Sequence, residues 1–147
     1  VVLRTFSKAH GLAGLRVGYS VSSPVLTQHI RVAATPFAVS QIAETAAIVS
    51  LQNYPQVVER VQSLVEERER VTVGLRSLGW AVPGAQGNFV WLDLGEHSAG
   101  FAELAGTQAL SVRAFPGEGV RVSIGEVEAN TRFLQLCAKY TNAPRGS

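Results

Sequence analysis

Four side chains near the start of the chain could together bind one type of ligand. Lys8 carries an amine that attacks carbonyl groups when burial or a neighbouring cation lowers its pKa. Thr5 and Ser7 precede it and bring hydroxyls that can donate to an anion. Arg16 follows eight residues later with a planar guanidinium that binds a phosphate through two hydrogen bonds. An aldehyde that also bears a phosphate would use all four groups at once.

The glycines after the lysine support the same chemistry. Gly11 and Gly14 allow tight turns that bring the backbone close to a ligand. Pyridoxal 5'-phosphate (PLP) is a phosphate-bearing aldehyde, so the segment favours a PLP site. Residue types alone leave another interpretation open, because a lysine in a glycine-rich loop is more often an ordinary surface residue.

Nucleotide and metal sites fit the sequence less well. A P-loop lysine follows its glycines in G-x-x-x-x-G-K-[ST], whereas Lys8 precedes Gly11 and Gly14. The histidines at positions 10, 29 and 97 are scattered, and no cysteine or carboxylate cluster has ligand spacing. We therefore predict no metal site and expect these histidines to be exposed or locally bonded, with His10 a candidate to line the Lys8 site.

The composition limits the kinds of partner and the cellular compartment that we expect. The chain has 147 residues, 46% hydrophobic and 16% charged, which is enough for a core. Its 13 basic and 11 acidic residues give a net charge of +2, which argues against nucleic-acid binding driven by phosphate contacts. No membrane span or signal peptide is visible. The single cysteine, Cys137, favours a reducing, cytoplasmic location and is expected to be a buried apolar side chain.

In the first half, strand patterns flank the Lys8 loop and helices follow. The strands are predicted at 1–4 and 16–22. Ser23 and Ser40 are expected to cap helices over 24–33 and 41–52, with Pro24 at the first helical position.

A longer helix is predicted over 55–78. Its apolar residues recur at steps of three and four, namely Val58, Val61, Leu64, Val65, Val71, Leu75 and Leu78. The charged run 66–70 is predicted to be a solvated face with local ion pairs. Gly79 should end the helix in the left-handed conformation.

The second half alternates strands and helices, which predicts an α/β fold. Strands are expected at 88–94, 110–115 and 120–125, helices at 98–108 and 126–140, and an irregular end at 141–147. Ser98 is the expected cap of the first of these helices. The last helix offers Val127, Phe133, Leu134, Leu136 and Cys137 for burial.

The segment TFSKAHGLAGLRVGY closely resembles the lysine segment of fold-type I, PLP-dependent (class I/II) aminotransferases. Within that family it is similar to the histidinol-phosphate and aromatic amino-acid branch. The resemblance extends over QGNFVWL and LSVRAFPGEGVRVSIG, and so over essentially the whole chain. It implies the C-terminal part of such an enzyme, with an edge of the large-domain sheet in 1–38, connecting helices in 39–79 and a small α/β domain in 80–147.

The resemblance also implies a role for each matched residue near the start. Lys8 matches the Schiff-base lysine, which holds PLP and then carries the proton during catalysis. Thr5, Ser7 and Arg16 match positions that hold the cofactor's phosphate.

Matched residues in the second half belong to the substrate side. Arg121 matches the arginine that binds the substrate's α-carboxylate, or the phosphate of histidinol phosphate, and Arg113 matches a second substrate-side arginine. Asn88 lies on a strand that faces the site in such enzymes. An ordinary exposed strand arginine is the alternative interpretation for both arginines. The implied partners are an amino acid, a 2-oxo acid and a second subunit of a homodimer.

The expected reaction is transamination between an aromatic amino acid and a 2-oxo acid. Ala38, where histidinol-phosphate enzymes often carry asparagine, and the short turn between Arg113 and Arg121 favour the aromatic substrate. Histidinol-phosphate transamination, another fold-type I reaction such as decarboxylation, and a non-catalytic dimerising homologue remain alternatives. Other cofactor contacts lie upstream of the lysine in such enzymes, so we expect the C-terminal portion of a longer protein, inactive by itself.

Overall fold

The computed structural model describes residues 1–140 and confirms the α/β class. The expected irregular end, 141–147, lies outside the described residues. The chain forms two compact units, Val1–Gln62 (unit 1) and Ser63–Ser147 (unit 2). Unit 1 contains β1 (Val2–Thr5), β2 (Gly18–Val21), α1 (Pro24–Ala33) and α2 (Gln41–Gln52). The boundary between the units falls within the next helix, α3 (Tyr54–Ser77). Unit 2 then contains β3 (Phe89–Leu92), α4 (Ser98–Thr107), β4 (Arg113–Phe115), β5 (Gly119–Ser123) and α5 (Val127–Lys139).

Unit 1 is built around a two-stranded antiparallel sheet. Strands β1 and β2 pair so that Thr5 lies opposite Gly18. A Cβ at position 18 would lie 2.7 Å from the Arg4 carbonyl oxygen, so this close approach requires glycine. The core of this unit is a small cluster of Phe6, Val17, Ala43 and Ala47, with Leu12 and Leu15 packed against it.

Both predicted serine caps in unit 1 are confirmed. The Ser23 hydroxyl accepts a hydrogen bond from the Leu26 amide at 3.4 Å, and the Ser40 hydroxyl accepts one from the Ala43 amide at 3.2 Å. Each bond satisfies an amide that the first helical turn leaves unpaired. Local sequence signals therefore suffice to start α1 and α2.

Unit 2 packs helices on one face of a three-stranded antiparallel sheet with the order β3-β5-β4. The inner face buries apolar side chains that alternate along the strands: Val90, Leu92, Val120 and Val122. Phe101 on α4 is fully buried, and its ring contacts those of Trp80, Phe133 and Tyr140. Cys137 is buried as predicted, and desolvation raises the pKa of its thiol to about 12.

Several boundary and burial predictions are wrong. Ser98 is the first residue of α4 rather than its cap, because residues 95–97 already form a 3₁₀ turn. Strand β4 begins at Arg113 rather than at Leu110, whose amide instead closes α4 by donating to the Ala105 carbonyl. Val127 is 60% exposed. Within the predicted stripe of α3, Val58 and Leu78 are also exposed, whereas Val71 and Leu75 are buried. Gly79 has a φ of +87°, as its predicted left-handed conformation requires.

The charged run on α3 is only partly a solvated face. Glu67 forms the predicted local ion pair with Arg70 at 2.7 Å, but its Oε1 also accepts a hydrogen bond from Asn130 Nδ2 at 2.8 Å. Asn130 is buried and bonds the amide and the carbonyl of Gly125, directly beyond β5. The bond from Arg70 holds the pKa of the Glu67 carboxyl below its ordinary value. The run thus fastens α3 to the start of α5.

Candidate active site

Lys8 lies on a loop whose backbone is held at both ends. On one side is buried Phe6, whose amide donates to the Val17 carbonyl at 3.2 Å and whose carbonyl accepts from the Leu12 amide at 2.9 Å. On the other side Gly11 has a φ of +71°, and its amide closes a turn onto the Lys8 carbonyl at 2.9 Å. The Lys8 side chain is exposed in this structure. The loop therefore presents the amine from a fixed backbone.

The structure brings Thr5, Ser7 and Arg16 together beside this loop. The Ser7 amide donates to Thr5 Oγ1 at 3.0 Å. Arg16 Nη1 donates to Ser7 Oγ at 3.4 Å and to the Ala13 carbonyl at 2.8 Å. Arg16 has a φ of +53°, an uncommon left-handed conformation for a residue with a side chain. Both of these hydrogen bonds use Nη1, so the guanidinium fork retains further N–H donors for an anion.

A second layer of side chains ties the loop to the helices of unit 1. His10 Nδ1 is 2.8 Å from Ser50 Oγ on α2, and its ring centroid is 4.5 Å from that of Phe6. Arg60 on α3 donates to the Ala9 carbonyl. His10, Ser50 and Arg60 also line a cavity of about 370 Å³. Sequence reasoning missed Ser50 and Arg60, because only the tertiary fold brings them to the loop.

In unit 2, the outer face of the sheet carries both predicted arginines. Arg121 on β5 lies directly opposite Arg113 on β4 and opposite Trp91 on β3. The Arg121 guanidinium carbon is 5.7 Å from the centroid of the Phe89 ring, and that of Arg113 is 5.1 Å from the centroid of Phe115. This set, which we call the arginine–aromatic face, consists of Phe89, Trp91, Arg113, Phe115 and Arg121. The aromatic members of this face could not be assigned from the sequence, because strand register is needed to place them.

The other two positions considered from the sequence, Asn88 and Ala38, lie outside the helices and strands. Asn88 lies immediately before β3, half buried, and its carbonyl accepts a hydrogen bond from the Ile124 amide at 2.9 Å. Ala38 is exposed in the connection between α1 and α2, next to Phe37, which has a φ of +58°.

Within residues 1–140, no group of three or more histidine, cysteine or acidic side chains could hold a metal ion. None of the helices described there combines the length and the apolar character that crossing a membrane needs.

The donor set of the Lys8 loop suits PLP. A primary amine can bond the aldehyde carbon, while two hydroxyls and a guanidinium fork lie within a few residues to receive a phosphate. Lys8, Thr5, Ser7 and Arg16 are the residues that could hold the group.

Comparison with known proteins gives a consistent result. A family model described as aminotransferase class I and II matches residues 1–141. The chain is 52% identical over 139 residues to the aromatic amino acid aminotransferase of Streptomyces coelicolor, covering 95% of this chain and 39% of that protein. It is 48% identical to the protein of the same name in Thermobifida fusca, again over 139 residues, with 95% and 39% covered. The chain thus spans about two fifths of the length of these relatives.

Solved structures agree on the fold. The histidinol-phosphate aminotransferase of Sinorhizobium meliloti, in complex with PLP, superposes with a TM-score of 0.72 at 30% identity, covering 92% of this chain and 38% of that one. The histidinol-phosphate aminotransferase of Clostridium acetobutylicum superposes with a TM-score of 0.80 at 23% identity, covering 92% and 44%. The second likeness bears on the fold alone.

Proposed function

Because the chain belongs to the aminotransferase class I and II family, which depends on PLP, we propose that it forms part of an aromatic amino-acid aminotransferase. The reaction transfers an amino group between an aromatic amino acid and a 2-oxo acid. The observation that carries the proposal is the Lys8 loop, where two hydroxyls and a guanidinium are joined by hydrogen bonds beside the backbone turn that carries the Lys8 amine.

The residues of unit 1 bind the cofactor and move a proton. When bound, PLP supplies an electron sink next to the substrate's Cα. Arg16 and the hydroxyls of Thr5 and Ser7 bind its phosphate through charge-assisted hydrogen bonds. Lys8 Nζ would hold the aldehyde carbon of the cofactor, and as a free amine it would accept and return the proton at the substrate's Cα. The hydrogen bond between the Gly11 amide and the Lys8 carbonyl fixes the backbone from which the Lys8 side chain extends.

The residues of unit 2 bind the substrate. Arg121 binds the α-carboxylate with a two-pronged guanidinium contact, and Arg113 adds a second positive charge from the opposite position on β4. We retain Asn88 as a candidate substrate contact because it begins β3, the strand that carries Phe89 and Trp91. These assignments rest on the matched sequence segments and on the shared face of the sheet.

The aromatic substrate is favoured over histidinol phosphate by sequence identity. Relatives named aromatic amino acid aminotransferase reach 52% identity, whereas the histidinol-phosphate aminotransferase of Sinorhizobium meliloti has 30%. The kcat/KM values of the enzyme that contains this chain should therefore favour phenylalanine over histidinol phosphate. A large preference for the phosphate ester would reverse the choice of substrate and leave the reaction class intact.

We further propose that the 147-residue chain does not catalyse the reaction by itself and that the enzyme works as a cytoplasmic homodimer. Exposure of Lys8 supports the first point, because proton transfer at carbon is efficient in a site that excludes water. Incubation of the isolated chain with PLP, phenylalanine and a 2-oxo acid should give no turnover.

Lys8→Ala tests the central assignment. The chain has two lysines, Lys8 and Lys139, so Lys139→Ala is a matched control. In the enzyme that contains the chain, Lys8→Ala should lower kcat by at least ~10³-fold, while Lys139→Ala keeps it. Borohydride reduction followed by peptide mapping should find pyridoxyl mass on the Lys8 peptide in the wild-type protein and in Lys139→Ala. Full activity of Lys8→Ala would instead support a non-catalytic homologue.

A further inference from the structure

The arginine–aromatic face places two like charges opposite each other. Arg113 and Arg121 are directly paired across β4 and β5, so their side chains leave the same face of the sheet. Like charges at such a pair of positions repel and destabilise the strands. An anion bound by both guanidiniums removes this repulsion. The register therefore suits one shared anionic group rather than two separate ones.

Each guanidinium also has an aromatic ring beneath it. Arg121 lies over Phe89 at 5.7 Å and Arg113 lies over Phe115 at 5.1 Å, both within the range of a cation–π contact. A guanidinium that stacks on a ring keeps the N–H donors in its own plane available to a carboxylate. The rings can therefore hold the two arginines in place without occupying the donors that bind substrate.

Two glycines leave space for the rings of Phe89 and Trp91 on this face. A Cβ at Gly87 would lie 2.7 Å from Cε1 of Phe89, and the Gly87 carbonyl is fixed by Arg68 Nη1 at 2.9 Å. A Cβ at Gly119 would lie 2.6 Å from Cζ2 of Trp91, whose ring centroid is 5.5 Å from that of Phe115. The rings of Phe89 and Trp91 therefore occupy space that these glycines leave open, and Phe115 packs beside Trp91.

We propose that Phe89 and Phe115 are positioning residues that hold Arg121 and Arg113 so that the two guanidiniums jointly bind the substrate carboxylate. The proposal rests on the proposed function for the identity of the anion. The rings act through the arginines and contact no reacting atom. Their contribution is to lower the conformational entropy that each arginine loses when the substrate binds.

NMR of the arginine Nε–Hε groups tests the proposal on the full 147-residue chain. In the free wild-type chain the Arg121 Nε–Hε signal, assigned with Arg121→Lys, should be displaced from its random-coil position by the ring. Phe89→Leu should abolish the displacement and Phe89→Tyr, which keeps a ring, should retain it. Phe115→Leu and Phe115→Tyr give the same pair for Arg113.

Titration with 3-phenylpropionate, a carboxylate that lacks the reacting amine, measures the effect on binding. Each leucine variant should raise its Kd about 2- to 5-fold, and the tyrosine variants should leave it near the wild-type value. In the enzyme that contains the chain, the leucine variants should raise KM for phenylalanine by a similar factor and leave kcat unchanged.

The outcomes separate this proposal from the proposed function. A random-coil Arg121 signal in the folded wild-type chain would overturn the positioning role, whatever the leucine variants do. Unchanged binding in correctly folded leucine variants would overturn it too, while the carboxylate assignment stands. If 3-phenylpropionate moves neither arginine signal, the substrate role of the arginines fails, and the ring-shift comparison still decides whether the rings position them.

Discussion

Unit 1 and unit 2 differ in how they bury their apolar side chains. Among the described residues, 17 of the 21 exposed large hydrophobic side chains lie in unit 1, whose core cluster has four buried members. The core cluster of unit 2 has 16. Since burial of apolar surface drives folding, unit 2 has most of what it needs internally, whereas unit 1 leaves much apolar surface open.

The two candidate sites follow the same division. The Lys8 site is contiguous in sequence, since Thr5 and Arg16 lie 11 positions apart and connect through Ser7. The arginine–aromatic face is assembled from three strands and depends on their register. Unit 1 therefore connects Thr5, Ser7 and Arg16 through hydrogen bonds within one loop, whereas unit 2 places its site residues through strand pairing and ring contacts.

The largest effects should come from matched core truncations in the two units. Phe101→Ala removes a fully buried ring that touches three other rings and should lower the free energy of unfolding by about 3–5 kcal/mol. Phe6→Ala should cost less than about 3 kcal/mol, because its small cluster can relax toward solvent. Amide hydrogen exchange, followed separately in the two units, measures both. Equal losses of stability would contradict the inference that the core of unit 2 is the more tightly packed.

Gly119→Ala should have the next largest effect. The added Cβ would lie 2.3 Å from the Leu92 carbonyl oxygen and 2.6 Å from the Trp91 ring, so either the strand pair or the ring must shift. We expect a loss of about 1–3 kcal/mol, measured by urea denaturation. Gly106→Ala is the control in the same unit, since nothing lies within 4 Å of its Cβ position and it is in a helix. A neutral Gly119→Ala would show that packing on this face is looser than the contacts indicate.

The smallest effect should be the pH dependence that Glu67 gives to unit 2. Its pKa is lowered in the folded state by Arg70 above all, so its contribution is complete above the ordinary glutamate pKa of ~4.3. That contribution is lost as the pH falls through the lowered value. Glu67→Gln should therefore be less stable than wild type at pH 7, and in urea titrations the difference should shrink as the pH falls below ~4.3. A difference that grows on acidification would contradict the assignment.

The parts of the fold that the sequence predicted well depend on neighbours in the chain. Ser23, Ser40 and Gly79 act within a few residues of themselves, and each adopts its predicted role. The same rule failed at Ser98, because the preceding 3₁₀ turn made this serine helical and buried it. Local propensity does not report such tertiary placement.

The candidate sites show the same limit. The cluster of Thr5, Ser7 and Arg16 was predicted because its members are close in sequence, and the structure brings them together. The aromatic partners of Arg113 and Arg121 were missed, since a shift of one residue in strand register would turn each side chain to the opposite face. The roles of all these residues in catalysis stay predictions.

Cys137 makes the opening of the unit 2 core measurable by thiol labelling. Its thiol is buried, and desolvation raises the thiol pKa to about 12, so very few molecules carry a thiolate at pH 7. Alkylating reagents attack the thiolate, so labelling in the folded state must wait for the helix and its neighbours to open. Because the chain has one cysteine, the rate at which the alkylating reagent labels the protein reports one event, the local opening of the core around Cys137. No probe has to be engineered to follow it.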